Sequence, residues 1–248
     1  MKRLPLLDRK LALNLLAKDA ANAREVWEAT EGHVVIGVML ADYQTIEGAV
    51  AQIRSLQQVL PLVSVGLGAG DPNQWQRVVD TALLTDPGHV NQIFPAAAYT
   101  VGALRARGME NNVVNALVSP SGTPGKVIIS TGPRSQGLPP VEVNCEAAAT
   151  MLAEVGVDSV KFFPIKGEAR LAELSEMARA AAEAGIPAFE PTGGIAVNNV
   201  ARVVETCLEA GSQVVIPHIY TAIVDPTTGY TRASEAAALL AEIRRVLG

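Results

Sequence analysis

The chain alternates strictly between short β-rich runs and Ala-rich helical segments, and this alternation constrains the fold more than any other feature. Runs rich in Val, Ile and Leu predict strands at 11–16, 33–39, 62–66, 89–94, 113–118, 157–163, 187–191 and 213–217. The segments between them predict helices at 20–30, 45–59, 73–84, 97–107, 143–155, 168–184, 197–210 and 232–247. Such βα units build a parallel sheet. Eight of them in 248 residues predict an α/β protein with a single domain, 1–248, folded as a TIM (β/α)8 barrel.

The main alternative to a barrel is an open, doubly wound sheet that binds a dinucleotide. Its glycine fingerprint would follow the first strand, but that turn, LLAKDAANAR, has no glycine. The only glycine-dense turn is VGLGAGDPNQ at 65–74, and Asp71 stands where the last fingerprint glycine would fall. A partial match is weak support for a dinucleotide site. The barrel is therefore favoured.

Composition excludes several classes of protein. Hydrophobic residues make up 49% and charged residues 18% of the chain, which is too apolar for a disordered protein. The formal net charge is −5, whereas a nucleic-acid binder needs a basic surface. No apolar run approaches the roughly 20 residues that span a bilayer. The N-terminal MKRLPLLDRK has no apolar core typical of a signal peptide, and two widely spaced cysteines predict free thiols. We expect a cytoplasmic protein that binds neither nucleic acid nor membrane.

The run DSVKFFP at 158–164 places a lysine inside an apolar strand. Because side chains in a strand alternate between faces, Lys161 faces the barrel interior if Val160 and Phe162 face the helices. Burial lowers the pKa of a lysine and frees its amine as a nucleophile that condenses with carbonyls. The alternative is a lysine at the end of a strand that reaches solvent or pairs with Glu190.

The run FEPTGGI at 189–195 combines a carboxylate with a glycine turn that opens a helix. Gly193 and Gly194 would let backbone N–H groups approach an anion, and barrels often bind phosphate after strands seven and eight. A tight βα turn without a ligand is the alternative. Glu190 would point inward towards Lys161 and act as a general base or as its counter-ion.

Of the three histidines, only His218 in VVIPHIY falls at the C-terminal end of a strand, where it is a candidate substrate-binding residue and the second candidate for the base. His33 and His89 begin strands and are predicted to be structural. No spacing of His, Asp or Glu supports a metal site, although Asp42, Asp71 and Glu190 are possible Mg²⁺ ligands.

The longest irregular stretch is 119–141, which contains GTPGK and a possible extra strand at 127–130. Neither a leading glycine nor a Ser/Thr after the lysine is present, so a P-loop is not predicted. A loop of this length is usually functional, and in a barrel it would follow the fifth strand on the active face. Lys126 and Arg134 within it could reach an anionic substrate.

VKFFP at 160–164 resembles the Schiff-base strand of 2-keto-3-deoxy-6-phosphogluconate aldolases, and PTGGI at 191–195 resembles their phosphate-binding turn. VGLGAGDPNQ, HVNQ, SGTPG, STGP, EPTGGI and IPHIY resemble a narrower group, the aldolases associated with D-glucosaminate breakdown. The resemblance covers almost the whole chain and implies a TIM barrel, an oligomer and class I aldol cleavage. One departure is that strand two, HVVIGVML, lacks the acid/base glutamate of the larger family, so Glu190 replaces it in our hypothesis.

The resulting hypothesis is a lyase without a cofactor that acts on a phosphorylated 2-keto-3-deoxy sugar acid. Lys161 attacks the C2 ketone of 2-dehydro-3-deoxy-6-phosphogluconate, and pyruvate and glyceraldehyde 3-phosphate are released. Gly193 and Gly194 hold the phosphate, and Thr192 adds its hydroxyl. Whether 4-hydroxy-2-oxoglutarate is also cleaved stays open. The rival hypotheses are a metal-dependent or isomerase-type barrel enzyme that forms no Schiff base, and a phosphosugar-binding regulator that is not an enzyme.

Overall fold

The computed structural model describes residues 4–248, and eight parallel strands form its centre. These strands are β1 (Leu13–Leu16), β2 (Val34–Met39), β3 (Val63–Gly66), β4 (Gly88–Ile93), β5 (Val113–Pro120), β8 (Ser159–Phe162), β9 (Ala188–Pro191) and β10 (Val214–Val215). Each pairs in parallel with the next along the chain, in the order given. Two parallel bridges, Leu11 to Val215 and Asn14 to His218, then join the last strand to the first. The sheet is therefore a closed barrel, which confirms the predicted fold.

Eight helices alternate with the barrel strands and cover their outer face. They are α1 (Ala20–Ala29), α2 (Ile46–Gln57), α3 (Trp75–Thr85), α4 (Ala97–Arg105), α5 (Cys145–Val155), α6 (Leu171–Glu183), α7 (Val200–Glu209) and α8 (Ala233–Leu247). Side-chain caps fix two of their starts: Asp19 accepts a hydrogen bond from the Asn22 N–H, and Thr45 accepts one from the Gly48 N–H. Such caps satisfy N–H groups that have no partner within the helix.

The segment 119–141 leaves the barrel as a small antiparallel excursion. Strand β5 extends to Pro120 and pairs with β6 (Lys126–Ile128), which pairs in turn with β7 (Glu142–Asn144). The extra strand predicted at 127–130 therefore exists with shifted bounds, and α5 begins at Cys145 instead of 143 because β7 takes the preceding residues. Glu173 on α6 accepts a hydrogen bond of 2.8 Å from the Gly122 N–H and ties this excursion to the barrel.

Side-chain alternation divides β8 and β9 between two environments. Val160, Phe162 and Phe189 are buried in the apolar core that the helices cover. Lys161 pairs in register with Glu190, and both occupy the opposite face of their strands. The apolar residues of VKFFP thus dictate that its lysine faces inward.

Two further observations concern the whole described chain. Cys145 and Cys207 are free and buried, and desolvation raises the pKa of both thiols, that of Cys145 to about 11. Within residues 4–248, no helix is long and apolar enough to cross a membrane.

Candidate active site

A cavity of about 370 Å³ opens at the C-terminal ends of the barrel strands. Residues at the ends of several strands line it: Leu16, Met39, Gly66, Leu117, Lys161, Thr192, His218 and Tyr220. In barrel enzymes the loops at this end of the strands carry the chemistry. The cavity is therefore the candidate active site.

Lys161 projects from β8 into this cavity. Its Nζ lies 3.0 Å from Asn91 Oδ1 and 3.4 Å from His218 Nδ1. Burial lowers the pKa of the amine to about 8, although the charge of Glu190 opposes this shift. At pH 7 about one lysine in ten is then neutral, far more than for an ordinary lysine of pKa about 10.4. The site thus presents a nucleophilic amine near neutral pH.

Glu190 is fully buried, and both of its carboxylate oxygens accept hydrogen bonds. Oε1 lies 3.1 Å from His89 Nε2, and Oε2 lies 2.7 Å from both His218 Nε2 and Asn115 Nδ2. Burial opposes ionisation, but the electrostatic interaction with His89 and the hydrogen bonds from His218 and His89 outweigh it and hold the pKa of Glu190 well below its usual range. Glu190 is not among the residues that line the cavity. This carboxylate stands behind His218, and its predicted role as general base or counter-ion stays a prediction.

His218 follows β10 and connects the buried carboxylate with the cavity. A carboxylate can only accept hydrogen bonds, so the Nε2 atom that faces Glu190 carries the proton. Its Nδ1 is then an acceptor and faces both Lys161 Nζ and the Tyr220 hydroxyl, the latter at 3.3 Å. Burial first, and the charge of Lys161 second, lower the pKa of His218 to about 3. The imidazole is neutral at physiological pH, and its lone pair at Nδ1 faces Lys161 Nζ and the Tyr220 hydroxyl.

The glycine turn after β9 also lines the cavity. Gly193 and Gly194 have φ angles of +104° and +74°. The Gly167 N–H donates to the Gly193 carbonyl at 2.9 Å, and a Cβ on Gly194 would lie 2.5 Å from Gly167 N, so only glycine fits there. Within residues 4–248, the N–H groups of Gly193, Gly194 and Ile195 donate no hydrogen bond. All three residues line the cavity.

The start of the following helix differs from the prediction. Helix α7 begins at Val200 instead of 197, because Asn199 closes the turn by accepting from the Ala196 N–H at 2.9 Å and donating to the Gly194 carbonyl at 3.0 Å. The free N–H groups therefore belong to the turn and not to the first turn of the helix. The Thr192 hydroxyl donates to the Glu190 carbonyl oxygen at 3.2 Å, so its proton is directed at the strand and not into the cavity.

His89, predicted from the sequence to be structural, contacts the buried carboxylate of Glu190. It is fully buried on β4, donates from Nε2 to Glu190 and places Nδ1 2.7 Å from Ser64 Oγ. His89 does not line the cavity, and its assignment as a structural residue stays a prediction. Barrel strands tilt and are staggered, so the beginning of β4 reaches the level of Glu190 on β9.

Sequence reasoning also missed the asparagines that surround these groups. Asn91 Oδ1 accepts from Lys161 and, at 2.9 Å, from Asn115 Nδ2, and Asn91 Nδ2 donates to Ser64 Oγ at 2.9 Å. Asn14 Nδ2 donates to the same hydroxyl at 3.1 Å. Each is an asparagine on the inward face of its strand. That pattern was visible in LALNLL, HVNQ and VVNALV.

The cavity lining does not include the other candidate anion and metal ligands, Lys126, Arg134, Asp42 and Asp71. Lys126 and Arg134 are exposed on the excursion, which instead covers a second cavity of about 270 Å³ beside Phe163. Asp71 accepts hydrogen bonds from Asn73 and Gln74 in its own turn. Across the described residues, no group of three or more His, Cys, Asp or Glu is placed to hold a metal ion.

Comparison with solved structures places the fold among barrel enzymes. Thiamine phosphate pyrophosphorylase from Pyrococcus furiosus superposes with a TM-score of 0.60 at 16% identity, covering 98% of this chain and 100% of that one. KGPDC from Streptococcus mutans gives a TM-score of 0.60 at 14% identity and covers 95% of this chain and 98% of that one. At these identities the likeness concerns the fold alone.

Sequence comparison identifies the family. A protein of Salmonella typhimurium named 2-dehydro-3-deoxy-phosphogluconate aldolase is 44% identical over 247 residues and covers 100% of both chains. The family model described as KDGP aldolase matches residues 7–227, a range that includes every side chain of the candidate site. The chain therefore belongs to the KDGP aldolase family.

Proposed function

We propose that this aldolase forms a Schiff base on Lys161 and cleaves 2-dehydro-3-deoxy-6-phosphogluconate to pyruvate and glyceraldehyde 3-phosphate. Membership of the family makes the protein a lyase. The observation that carries the proposed mechanism is the position of Lys161. Its amine lines the cavity, has a pKa lowered to about 8 by burial and contacts the fixed acceptor Nδ1 of His218.

The chemistry follows from a neutral amine beside a ketone. Lys161 Nζ adds to C2, and the hydroxyl of the adduct takes up the proton that His218 accepted from the Lys161 ammonium and leaves as water. The resulting iminium draws electrons from the C3–C4 bond. Loss of the C4 hydroxyl proton releases the aldehyde and leaves an enamine. Protonation of the enamine at C3 and hydrolysis of the iminium then release pyruvate and regenerate Lys161. The proton removed from the C4 hydroxyl balances the proton added to C3.

In this proposal Glu190 acts through His218 and does not contact the substrate. Its carboxylate fixes the tautomer of the imidazole, so that Nδ1 accepts a proton from the Lys161 ammonium while Nε2–H stays bound to Oε2. A buried carboxylate with a low pKa also stabilises the imidazolium that forms. His218 is a substrate-side residue, and Glu190 is its positioning partner.

The free N–H groups of Gly193, Gly194 and Ile195 are the proposed phosphate site. They lie on the same cavity wall as Lys161, and backbone N–H groups in a glycine turn are typical anion donors. Thr192 would join them only after its hydroxyl turns away from the Glu190 carbonyl. A substrate without phosphate, such as 4-hydroxy-2-oxoglutarate, would use the same amine but lose these contacts, so we expect it to be cleaved with a higher KM.

The remaining proposals concern the protein's setting. We propose that it works in the cytoplasm, which suits two free, buried cysteines. We also propose a homo-oligomer, the state that the resemblance implies and the common one for soluble enzymes. Light scattering during size-exclusion chromatography tests the second proposal, since a monomer mass would contradict it.

The decisive experiment is to add pyruvate and borohydride and to map the modified residue by mass spectrometry. We expect one adduct, on Lys161, that is lost in K161A. The matched control is K166A, because Lys166 is exposed on the neighbouring turn and should leave the adduct unchanged. An unmodified wild-type protein that turns over its substrate would contradict the Schiff-base mechanism.

A further inference from the structure

A tyrosine hydroxyl occupies the space where β2 would otherwise present an inward side chain. A Cβ built on Gly37 of β2 would lie 2.8 Å from Tyr220 Oη and 3.3 Å from Asn14 Oδ1. Tyr220 follows β10, at the opposite end of the chain, and still reaches this position on the barrel wall. Glycine at position 37 is therefore what allows the Tyr220 hydroxyl to enter the barrel.

The hydroxyl of Tyr220 lies between the cavity and two hydrogen-bond acceptors, an arrangement that suits proton transfer. Tyr220 lines the cavity together with Lys161. Its hydroxyl lies 3.0 Å from Asn14 Oδ1, to which it donates, and 3.3 Å from the unprotonated Nδ1 of His218. The two rings are 5.6 Å apart, centre to centre. Burial raises the pKa of Tyr220, so the group is a phenol and not a phenolate.

We propose that Tyr220 is the catalytic residue that exchanges protons with the substrate, and that His218 is its relay. The inference rests on the proposed aldolase function. As the C3–C4 bond breaks, the C4 hydroxyl gives its proton to Tyr220 Oη while the phenol proton turns from Asn14 to His218 Nδ1. The two transfers leave the phenol neutral, the imidazole protonated and the aldehyde free. The reverse transfer delivers the same proton to C3 of the enamine.

The charges in the site favour this sequence. Before cleavage the iminium on Lys161 is positive and His218 is neutral. Cleavage turns the iminium into a neutral enamine at the moment when His218 receives a proton, so the total charge beside Glu190 does not change. The positive charge on Lys161 is one reason why the pKa of His218 is low, and its loss makes the imidazole a better base. Glu190 then pairs with the imidazolium at 2.7 Å.

The test separates proton transfer from Schiff-base formation. In D₂O the wild-type enzyme should exchange the methyl protons of pyruvate through the enamine, which NMR measures. Y220F should still give the borohydride adduct on Lys161 but exchange about 100-fold more slowly, in line with the usual contribution of general acid–base catalysis. Y230F is the matched control: Tyr230 is 37% exposed, bonds to Asp19 and lies outside the cavity, so its exchange rate should match the wild type.

A second variant moves the hydroxyl without removing it. In G37A the new Cβ would lie 2.8 Å from Tyr220 Oη and displace the hydroxyl, so we expect slower exchange of the pyruvate methyl protons. The double variant G37A/Y220F should be no slower than Y220F, because both changes act on one interaction. Wild-type exchange in Y220F, or loss of the Lys161 adduct in Y220F, would overturn the assignment. Failure of the aldolase mechanism itself would appear differently, as a missing adduct in the wild-type protein, and would overturn both proposals.

Discussion

His218 Nε2 lies 2.7 Å from Glu190 Oε2, and both side chains are completely buried. This contact determines which nitrogen of the imidazole carries the proton and therefore which nitrogen faces the cavity. The opposite tautomer would leave Nε2 without a proton against a carboxylate, with no hydrogen bond between two buried acceptors. A buried carboxylate thus determines which acceptor faces Lys161.

The pH dependence of adduct formation should report the pKa of Lys161. Because burial lowers the pKa of Lys161 to about 8, the neutral amine increases as pH rises and approaches its maximum above that value. The initial rate of pyruvate trapping should therefore rise from pH 6.5, bend near pH 8 and stay level towards pH 9.5. Trapping with cyanoborohydride at each pH measures it. A rate that keeps rising tenfold per unit through pH 9.5 would indicate an ordinary lysine.

Replacing the reactive lysine should stabilise the fold while it abolishes activity. The folded pKa of Lys161 is below its unfolded value, so burying the charged form costs stability below pH 8, and the cost is relieved as pH rises from 8 to the unfolded pKa. K161M removes the charge and keeps the length, and we expect about 1–3 kcal/mol of extra stability at pH 7. Chemical denaturation at pH 7 and pH 9.5 checks this, and the gain should be smaller at pH 9.5. A less stable K161M at pH 7 would contradict the prediction.

Glu190 should contribute to stability through the three donors it accepts. E190Q places an amide donor where the structure requires an acceptor, and we expect a loss of about 3 kcal/mol at pH 7. Since the folded pKa of Glu190 is below its unfolded value, this contribution is complete above about pH 4.5 and is lost as pH falls through the folded pKa. Thermal unfolding at pH 7 and pH 4 measures both effects.

The control for E190Q is a glutamate whose ion pair is exposed. Glu205 pairs with Arg202 at 2.7 Å, and its side chain is 45% exposed. E205Q should change stability by less than about 0.5 kcal/mol at either pH, because exposed pairs contribute little. Equal losses in E190Q and E205Q would show that the buried network has no special role.

The glycine turn should discriminate between substrates. G193A introduces a Cβ 3.2 Å from the Phe163 ring at a φ of +104°, so the turn must shift and its N–H groups lose their alignment. We expect KM for 2-dehydro-3-deoxy-6-phosphogluconate to rise at least about 10-fold, because the phosphate loses one or two charge-assisted hydrogen bonds. KM for the analogue without phosphate should change little. Steady-state kinetics on both substrates measure the difference.

A second glycine variant separates the turn's role from backbone strain. Gly185 also has a positive φ, +81°, but a Cβ there has no neighbour within 4 Å. G185A should lower stability in the same way as any alanine forced into this conformation and leave both KM values unchanged. If G193A raises KM equally for both substrates, the turn is structural and the phosphate binds elsewhere.

The sequence by itself determined the barrel and the orientation of its central lysine. Eight alternating βα units allow few other folds, and strand periodicity is local, so Val160 and Phe162 suffice to direct Lys161 inward. The same reasoning placed Glu190 on the interior face, because Phe189 beside it faces the helices. These properties depend on neighbours within two or three residues, which a sequence displays directly.

Only the tertiary structure decided what these two side chains contact. His89 reaches Glu190 from 101 residues away because the stagger of barrel strands brings the beginning of β4 level with β9. Tyr220 enters the space above Gly37 because the chain after β10 closes against β1, a contact between the two ends of the molecule. Strand stagger and barrel closure are properties of the whole sheet, and they cannot be read from any single residue of the sequence. The roles of Glu190 and His218 therefore emerged only from the assembled barrel, in which one carboxylate orients a histidine and the histidine faces the lysine.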